Sequence, residues 1–454
     1  MKRLFGTDGV RGVVASELTP LFIARLAWAI GSYFKEGSRI LVGCDYRAGG
    51  EAIRSILVGA LSLSGVRVYD AGYTPTPALQ YAVKTGGFDG GVVVTASHNP
   101  PEYNGIKVIG PHGVEVDRNE ERVIEEFFWS EKFRVISWRS AVWSVEKYPG
   151  VNDLYVKAIL DHVDRDVIAK REFRVLVDPV NNVGVLTTPR LLRELGVKPV
   201  VVNGDLSCEP TRSPEPTPET LSSTAQAVKA CSCDLGVAHD GDADRSLFID
   251  EQGRVYWGDR SAVLLAKHLR LYKKLTGRVY TGVSSSVLVE DVLRPLGVEV
   301  VWLKVGSVDI AHAMIRSGDA LCGFEENGGF MYPPHQYVRD GAMTLALFLE
   351  MLATSRMRAS ELFSELPEYY TVKKKYHMSR DVALKIVDLV KEEFKSERLI
   401  TIDGVKVISR DYWVLVRPSG TEPLLRVMLE AKSEETAKSV LERIESVIRG
   451  VIRA

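Results

Sequence analysis

Between residues 20 and 325 the chain alternates short, almost wholly apolar runs with amphipathic helical stretches, and this alternation restricts its fold more than any other feature. Ile40-Leu41-Val42-Gly43, Gly91-Val92-Val93-Val94 and Arg174-Val175-Leu176-Val177-Asp178 are too short for buried helices. They suit strands covered on both faces, joined by crossover helices in a mostly parallel sheet. Thr19-Pro20 supplies a helix cap and a first-turn proline, and Phe22, Leu26, Ile30 and Phe34 follow at near-helical spacing. A second helix is predicted over 51–63 and a strand over 66–69, so the fold class is α/β.

The alternation is interrupted three times. An irregular stretch near 130–150, a proline-rich loop at Pro210, Pro214, Pro216 and Pro218, and a lysine run at 373–375 separate the regular segments. At about 150 residues per domain, 454 residues suggest three domains, but four separated polar loops favour four modest ones, at 1–150, 151–253, 254–368 and 369–454. The last is expected to be a smaller α+β domain, with one helix, strands near 412–417 and 425–429, and a final helix over 433–448. Lys373 to Lys375 read as solvated surface.

Lys plus Arg total 58 and Asp plus Glu 59, a formal charge of -1. That balance lacks the cationic surplus of a dedicated nucleic-acid binder, while leaving room for a local anion pocket. No segment resembles a signal peptide or spans a bilayer, so no membrane partner and a cytoplasmic location are expected. Five dispersed cysteines do not form a disulfide framework, and Cys231-Ser232-Cys233 lacks a second ligand pair for zinc.

Four polar segments carry the chemistry. Thr95-Ala96-Ser97-His98-Asn99-Pro100 leaves the end of an apolar strand, where parallel sheets place ligand loops. Ser97 there is either a nucleophile or phosphate carrier, or a loop-capping hydroxyl. No Gly-x-Ser-x-Gly elbow accompanies it. Lys107 downstream either neutralises phosphate and exchanges a proton or faces water. His239-Asp240-Gly241-Asp242-Ala243-Asp244-Arg245 places three carboxylates at alternating positions, which repel unless a cation gathers them. Hard oxygen ligands favour Mg²⁺, preferred here to Ca²⁺ because the short spacing is not an EF-hand loop, Arg245 adds a planar fork for oxygen anions, and a plain surface turn is the alternative. Gly323-Phe324-Glu325-Glu326-Asn327-Gly328-Gly329 suits a polyhydroxyl ligand or an ordinary polar turn, and Asp340 either caps the next helix or touches ligand. Arg417-Pro418-Ser419-Gly420-Thr421-Glu422-Pro423 with Arg426 reads as a phosphate cradle or a Pro/Gly turn.

Together with Gly6-Thr7-Asp8-Gly9-Val10-Arg11-Gly12, these segments resemble, in family order and over nearly the whole chain, the α-D-phosphohexomutase superfamily, particularly its archaeal phosphoglucomutase/phosphomannomutase members. The resemblance implies three α/β domains and a smaller fourth around a central cleft. It implies that Ser97 is phosphorylated and that Asp240, Asp242 and Asp244, with Ser97, hold Mg²⁺. Arg11, His98, Lys107 and Arg245 match the catalytic shell, with Lys107 the preferred general base. Glu325 and Asn327 match sugar-hydroxyl readers, and Arg417, Ser419, Gly420, Thr421 and Arg426 the remote phosphate group.

The implied reaction interconverts hexose 1- and 6-phosphates through phosphoserine and a hexose 1,6-bisphosphate that turns over in the cleft, with closure of the fourth domain excluding water. Hexose phosphates are the expected partners, and a homo-oligomer is compatible with the sequence. Many bacterial members read Glu-x-Ser-Gly-His in the sugar loop, whereas this chain has no histidine there. That departure tilts the expectation toward glucose and mannose phosphates, with phosphoglucosamine mutase the alternative and a Mg²⁺-dependent sugar-phosphate phosphatase a further one.

Overall fold

A computed structural model describes residues 3–141, 145–419 and 423–453. Thr19 accepts a hydrogen bond from the Phe22 amide and caps the helix Pro20–Tyr33, which buries Ile23, Leu26 and Ile30. Four sheets follow in chain order. In the first, Arg39–Cys44 lies between Arg67–Tyr73 and Gly90–Val94, all parallel. The second centres on Arg174–Asp178 and the third on Arg278–Gly282, each flanked by two parallel neighbours.

The predicted parallel cores thus form, and each gains antiparallel strands that local pattern did not reveal. Tyr103–Ile109 runs antiparallel to Gly90–Val94 and sets Lys107 opposite Val93. Val10–Val13 continues that sheet by pairing with Tyr103–Ile109, which brings Arg11 opposite Gly105. Leu247–Asp250 and Phe330–Met331 add antiparallel neighbours to the second and third sheets. The second sheet also takes its edge strand at Val255–Tyr256, just past the expected boundary at 253.

One apolar cluster runs from Leu41 and Leu79 through Tyr155 and Val175 to Leu288 and Phe348, so the first three domains share a core. The helix Gly341–Ser355, apolar on nearly every side, is threaded through it. Asp340 caps this helix, accepting from the Met343 amide, which is the structural alternative the sequence allowed.

The fourth sheet is wholly antiparallel and packs helices Arg380–Glu393 and Glu434–Arg453 around a core of its own. Its first strand, Tyr370–His377, contains the lysine run. Lys373, Lys374 and Lys375 are exposed on that strand, as solvated surface should be. Val283 and Val287 of the third domain pack against Trp413 and Leu415 of the fourth. No helix among the described residues is long and apolar enough to cross a membrane.

Candidate active site

Ser97 is fully buried and holds a left-handed backbone, φ 52°. A non-glycine residue there is strained unless its surroundings hold it. Two groups that sequence reasoning missed do so. Asp45 accepts from the Thr95 hydroxyl at 2.7 Å, and that hydroxyl accepts from the Ser97 amide at 2.8 Å. Arg47 donates to the carbonyls of Ser97, Asn99 at 2.9 Å and Pro100 at 3.1 Å while pairing with Asp45 at 3.1 Å. Burial pushes the Asp45 carboxyl up to about 6 against the pull of Arg47. Both residues follow the strand Arg39–Cys44, so the strand-end rule that selected Ser97 applies equally to them.

The Ser97 hydroxyl donates to Asp240 Oδ2 at 2.6 Å, joining the first domain to the second. Gly241 makes this approach feasible, since a Cβ there would lie 2.5 Å from the Ser97 carbonyl oxygen. Asp240, Asp242 and Asp244 are all buried and can each offer an oxygen within 4.8 Å of the others. Burial, Asp244 and Asp242 together raise Asp240 to about 8. Burial also opposes ionisation of Asp242, but Lys107 and the Thr76 hydroxyl at 2.7 Å outweigh it and hold Asp242 low.

This donor set fits a hard divalent cation. Asp242 Oδ1 and Asp244 Oδ1 are buried with no hydrogen-bond donor from the protein, a costly arrangement for buried carboxylates. Protein cations occupy the opposite oxygens: Lys107 lies 3.1 Å from Asp242 Oδ2 and 3.4 Å from Asp244 Oδ2, and Arg339 lies 2.5 Å from Asp244 Oδ2. Two oxygens thus remain for a metal.

Lys107 is buried and also pairs with Asp8 at 3.2 Å. Burial alone would strip its proton, but Asp242, Asp8 and Asp244 overcome that and raise its pKa. With these three carboxylates around it the ammonium form of Lys107 is favoured, and a role as general base requires that the proton be released against them. Arg339 joins Asp8 at 3.0 Å, Asp244 and Glu325 at 3.3 Å, tying loops of all three α/β domains together. Its position, 95 residues from Asp244, left no local signal. Arg11 extends the network, donating to Asn99 at 2.5 Å and Asp8 at 2.8 Å.

Arg245 donates to His98 Nδ1 at 2.8 Å. Since a guanidinium cannot accept, His98 must offer a lone pair there and carry its proton on Nε2. Burial, then Arg245 and Arg11, depress its pKa well below the ordinary histidine range.

Glu325 is buried against Arg339, and burial raises its pKa. Asn327 accepts from the Gly329 amide at 3.2 Å, shaping its own loop. Arg417 and Arg426 stand directly opposite on adjacent strands, with Lys375 opposite Arg426 on the other side. Like charges in register repel, and an anion over that row would relieve them. Arg417 also pairs with Asp403 at 2.7 Å. Ser419 is buried beside the pair, while Gly420 and Thr421 lie outside the described residues. The structure therefore gathers Ser97, the aspartates, Lys107, His98, Arg245, Arg11 and Glu325 into one network. Arg417, Ser419 and Arg426 form a second group on the fourth sheet.

Four sequence profiles described as phosphoglucomutase/phosphomannomutase domains I, II, III and the C-terminal domain match residues 2–135, 153–253, 257–370 and 359–447. A phosphoglucosamine/phosphogalactosamine mutase of Sulfurisphaera tokodaii is 51% identical, covering 99% of this chain and all of its own. A phosphoglucomutase/phosphomannomutase of Thermococcus kodakarensis is 42% identical over 97% of each chain. The crystal structure of a phosphoglucomutase/phosphomannomutase family protein from Burkholderia thailandensis superposes with a TM-score of 0.88 at 26% identity, over 99% of this chain and 97% of that one. With a four-domain fold and profiles matching in order along nearly its whole length, the chain belongs to the phosphohexomutase family, whose members are intramolecular phosphotransferases acting on hexose phosphates.

Proposed function

We propose that the protein interconverts the 1- and 6-phosphates of an aminohexose, glucosamine phosphate foremost, through phosphoserine 97 and a hexose 1,6-bisphosphate. The contact of 2.6 Å between Ser97 and Asp240, at the head of a buried carboxylate cluster, carries the phosphoryl-transfer part of this reading. The amino-sugar part is supported by the 51% identical relative named for glucosamine and galactosamine phosphates. It reverses the tilt toward glucose and mannose drawn from the sugar loop alone. Glucose and mannose phosphates remain the second reading, favoured by the 42% identical relative.

In the first half-reaction the Ser97 Oγ–P bond breaks and a bond forms from phosphorus to O6 of the 1-phosphate. The proton lost by the O6 hydroxyl is balanced by the one Ser97 Oγ gains as its bond to phosphorus breaks, and the restored hydroxyl again hydrogen-bonds to Asp240. The bisphosphate turns over, its O1–P bond breaks as a bond forms from Ser97 Oγ to that phosphorus, the proton lost by Ser97 is gained by O1, and the hexose 6-phosphate departs. Asp240, Asp242 and Asp244 would hold Mg²⁺, which when bound supplies charge stabilisation to the transferring phosphoryl group. Lys107 enters with its proton on and acts first as a cation toward phosphate and a proton donor. Serving as a base would require it to give up that proton against Asp242, Asp8 and Asp244. Arg245 and neutral His98 line the same reaction centre. Glu325 and Asn327 are assigned to the sugar hydroxyls, and Arg417, Ser419, Gly420, Thr421 and Arg426 to the phosphate that is not reacting.

The test compares 1-phosphates of glucosamine, galactosamine, glucose, mannose and N-acetylglucosamine, with Mg²⁺ and a trace of the matching 1,6-bisphosphate. Conversion to 6-phosphates, fastest for an aminohexose, is expected. Release of inorganic phosphate alone would overturn the mutase reading, and faster turnover of glucose or mannose would overturn the amino-sugar preference.

A further inference from the structure

The boundary between the third and fourth domains contains a lysine with no part in the chemistry above. Lys406, on the strand Val405–Ile408 of the fourth sheet, is 0% exposed. Its ammonium donates to the Ser285 carbonyl of the third domain. It also lies 3.8 Å from the ring centroid of Trp302, in the third domain, and 4.2 Å from that of Trp413, in the fourth. Burying a lone cation in protein costs several kcal/mol unless partners replace its water, and its replacements come from both domains. Burial draws Lys406 down to about 7, against the opposing pull of Glu430, Asp259, Glu290 and Glu326.

The acceptor belongs to a loop, Ser284-Ser285-Ser286, gripped from two sides. On the fourth-domain side, the Ser286 hydroxyl donates to Glu430, which also accepts from the Trp413 indole at 2.9 Å. On the other side, the Ser284 hydroxyl donates to Glu326 of the sugar loop at 2.5 Å. Close by, Asp403 accepts from both the Val305 amide at 3.2 Å and Arg417 of the cradle at 2.7 Å. The fourth domain therefore meets the third through residues adjoining its own row of cations and the third domain's sugar loop.

We propose that Lys406 is a positioning residue that docks the fourth domain onto the Ser284–Ser286 loop and so fixes the spacing between the phosphate cradle and the sugar loop. An apolar side chain at this point would hold the two faces together by area alone. Lys406 instead requires a carbonyl and two indole faces at defined positions, and finds water when the domains part. Docking is thus specific in geometry and readily reversed, which suits a cycle in which the bisphosphate must turn over. This role rests on the assignment of Arg417 and Arg426 to the distal phosphate and of the Glu325–Gly329 loop to the sugar.

The test measures steady-state kinetics of Lys406→Met, Ser284→Ala and the double variant on whichever 1-phosphate the wild type turns over, with folding checked by thermal melting. Each single variant is expected to raise KM, Lys406→Met by about tenfold, equivalent to about 1.4 kcal/mol, with kcat changed much less. The double variant should raise KM by less than the product of the two, because both act through one loop. An unchanged KM in folded Lys406→Met, or effects that multiply, would overturn the proposal. If Lys406→Met does not fold, Ser284→Ala decides alone, and an unchanged KM refutes the coupling. Hydrogen exchange of the free proteins separates this from an error in substrate class: faster exchange at the 283–287 amides in either variant supports docking even where no tested sugar phosphate turns over, and unaltered exchange refutes it.

Discussion

Ser97 of the first domain donates its hydroxyl to Asp240 of the second at 2.6 Å. The residue assigned to carry phosphate and the first of the three carboxylates assigned to hold metal therefore touch across a domain boundary, where both are buried. Preorganised charge in such a site is worth far more than in water.

Replacing Ser97 with alanine should abolish mutase turnover while leaving sugar-phosphate affinity within a few-fold. Intact mass spectrometry should show the increment of one phosphate on wild-type protein incubated with bisphosphate and none on Ser97→Ala. Residual turnover near the wild-type rate would remove Ser97 from the mechanism.

Chelation should stop turnover reversibly, and Mg²⁺ should stabilise the fold. A ligand at a hundred times its Kd adds about 2.7 kcal/mol to unfolding free energy, so thermal melting with and without Mg²⁺ should separate clearly. Asp242→Asn should lose most of that separation because it neutralises a carboxylate whose Oδ1 has no other partner. An identical Mg²⁺-induced shift in the variant would show that the ion binds elsewhere.

Arg339→Met removes one guanidinium from Asp8, Asp244 and Glu325 together. Breaking a buried charge pair costs about 3–5 kcal/mol, and a urea titration should show a loss of this size. A loss below about 1 kcal/mol, the range of an exposed pair, would mean that the arginine does not bind the three domains together.

The acid limb of stability should carry a contribution from His162. Burial and the neighbouring His335 hold its imidazole down to about 4, while in the unfolded chain it titrates near 6.5. Between those values the unfolded chain binds a proton that the folded chain does not, so this contribution is complete above pH 6.5 and is lost as the pH falls toward 4. His162→Phe should therefore lose less melting temperature than wild type between pH 6.5 and 4. Equal losses would exclude the residue as a source of acid sensitivity.

Much of this molecule could be read before it folded. Parallel strands were evident because Val92-Val93-Val94 and Val175-Leu176-Val177 are apolar on both faces, and Ser97 and Asp240 stood out as polar residues at strand ends. Tyr103–Ile109 was not evident: Lys107 interrupts its apolar pattern because it serves a buried ionic network that local sequence does not display, and Asn104 does so while bonding the Ala48 carbonyl. Tyr370–His377 was hidden for the opposite reason, since three consecutive exposed lysines show no alternation of apolar and polar residues.

The sequence by itself determined which chemical groups are available and in what order, because strand and helix periodicity and loop composition are local properties. Tertiary structure alone decided their company. Asp45 and Arg47 support the Ser97 loop because the strands that precede them pair within one sheet, whereas Arg339 reaches Asp8 and Asp244, and Lys406 meets Trp302, only because separate sheets pack against one another. It also sets the direction of the pKa shifts: Lys107 is pushed up and His98 down because buried charges from distant segments are close enough to outweigh or reinforce the cost of leaving water.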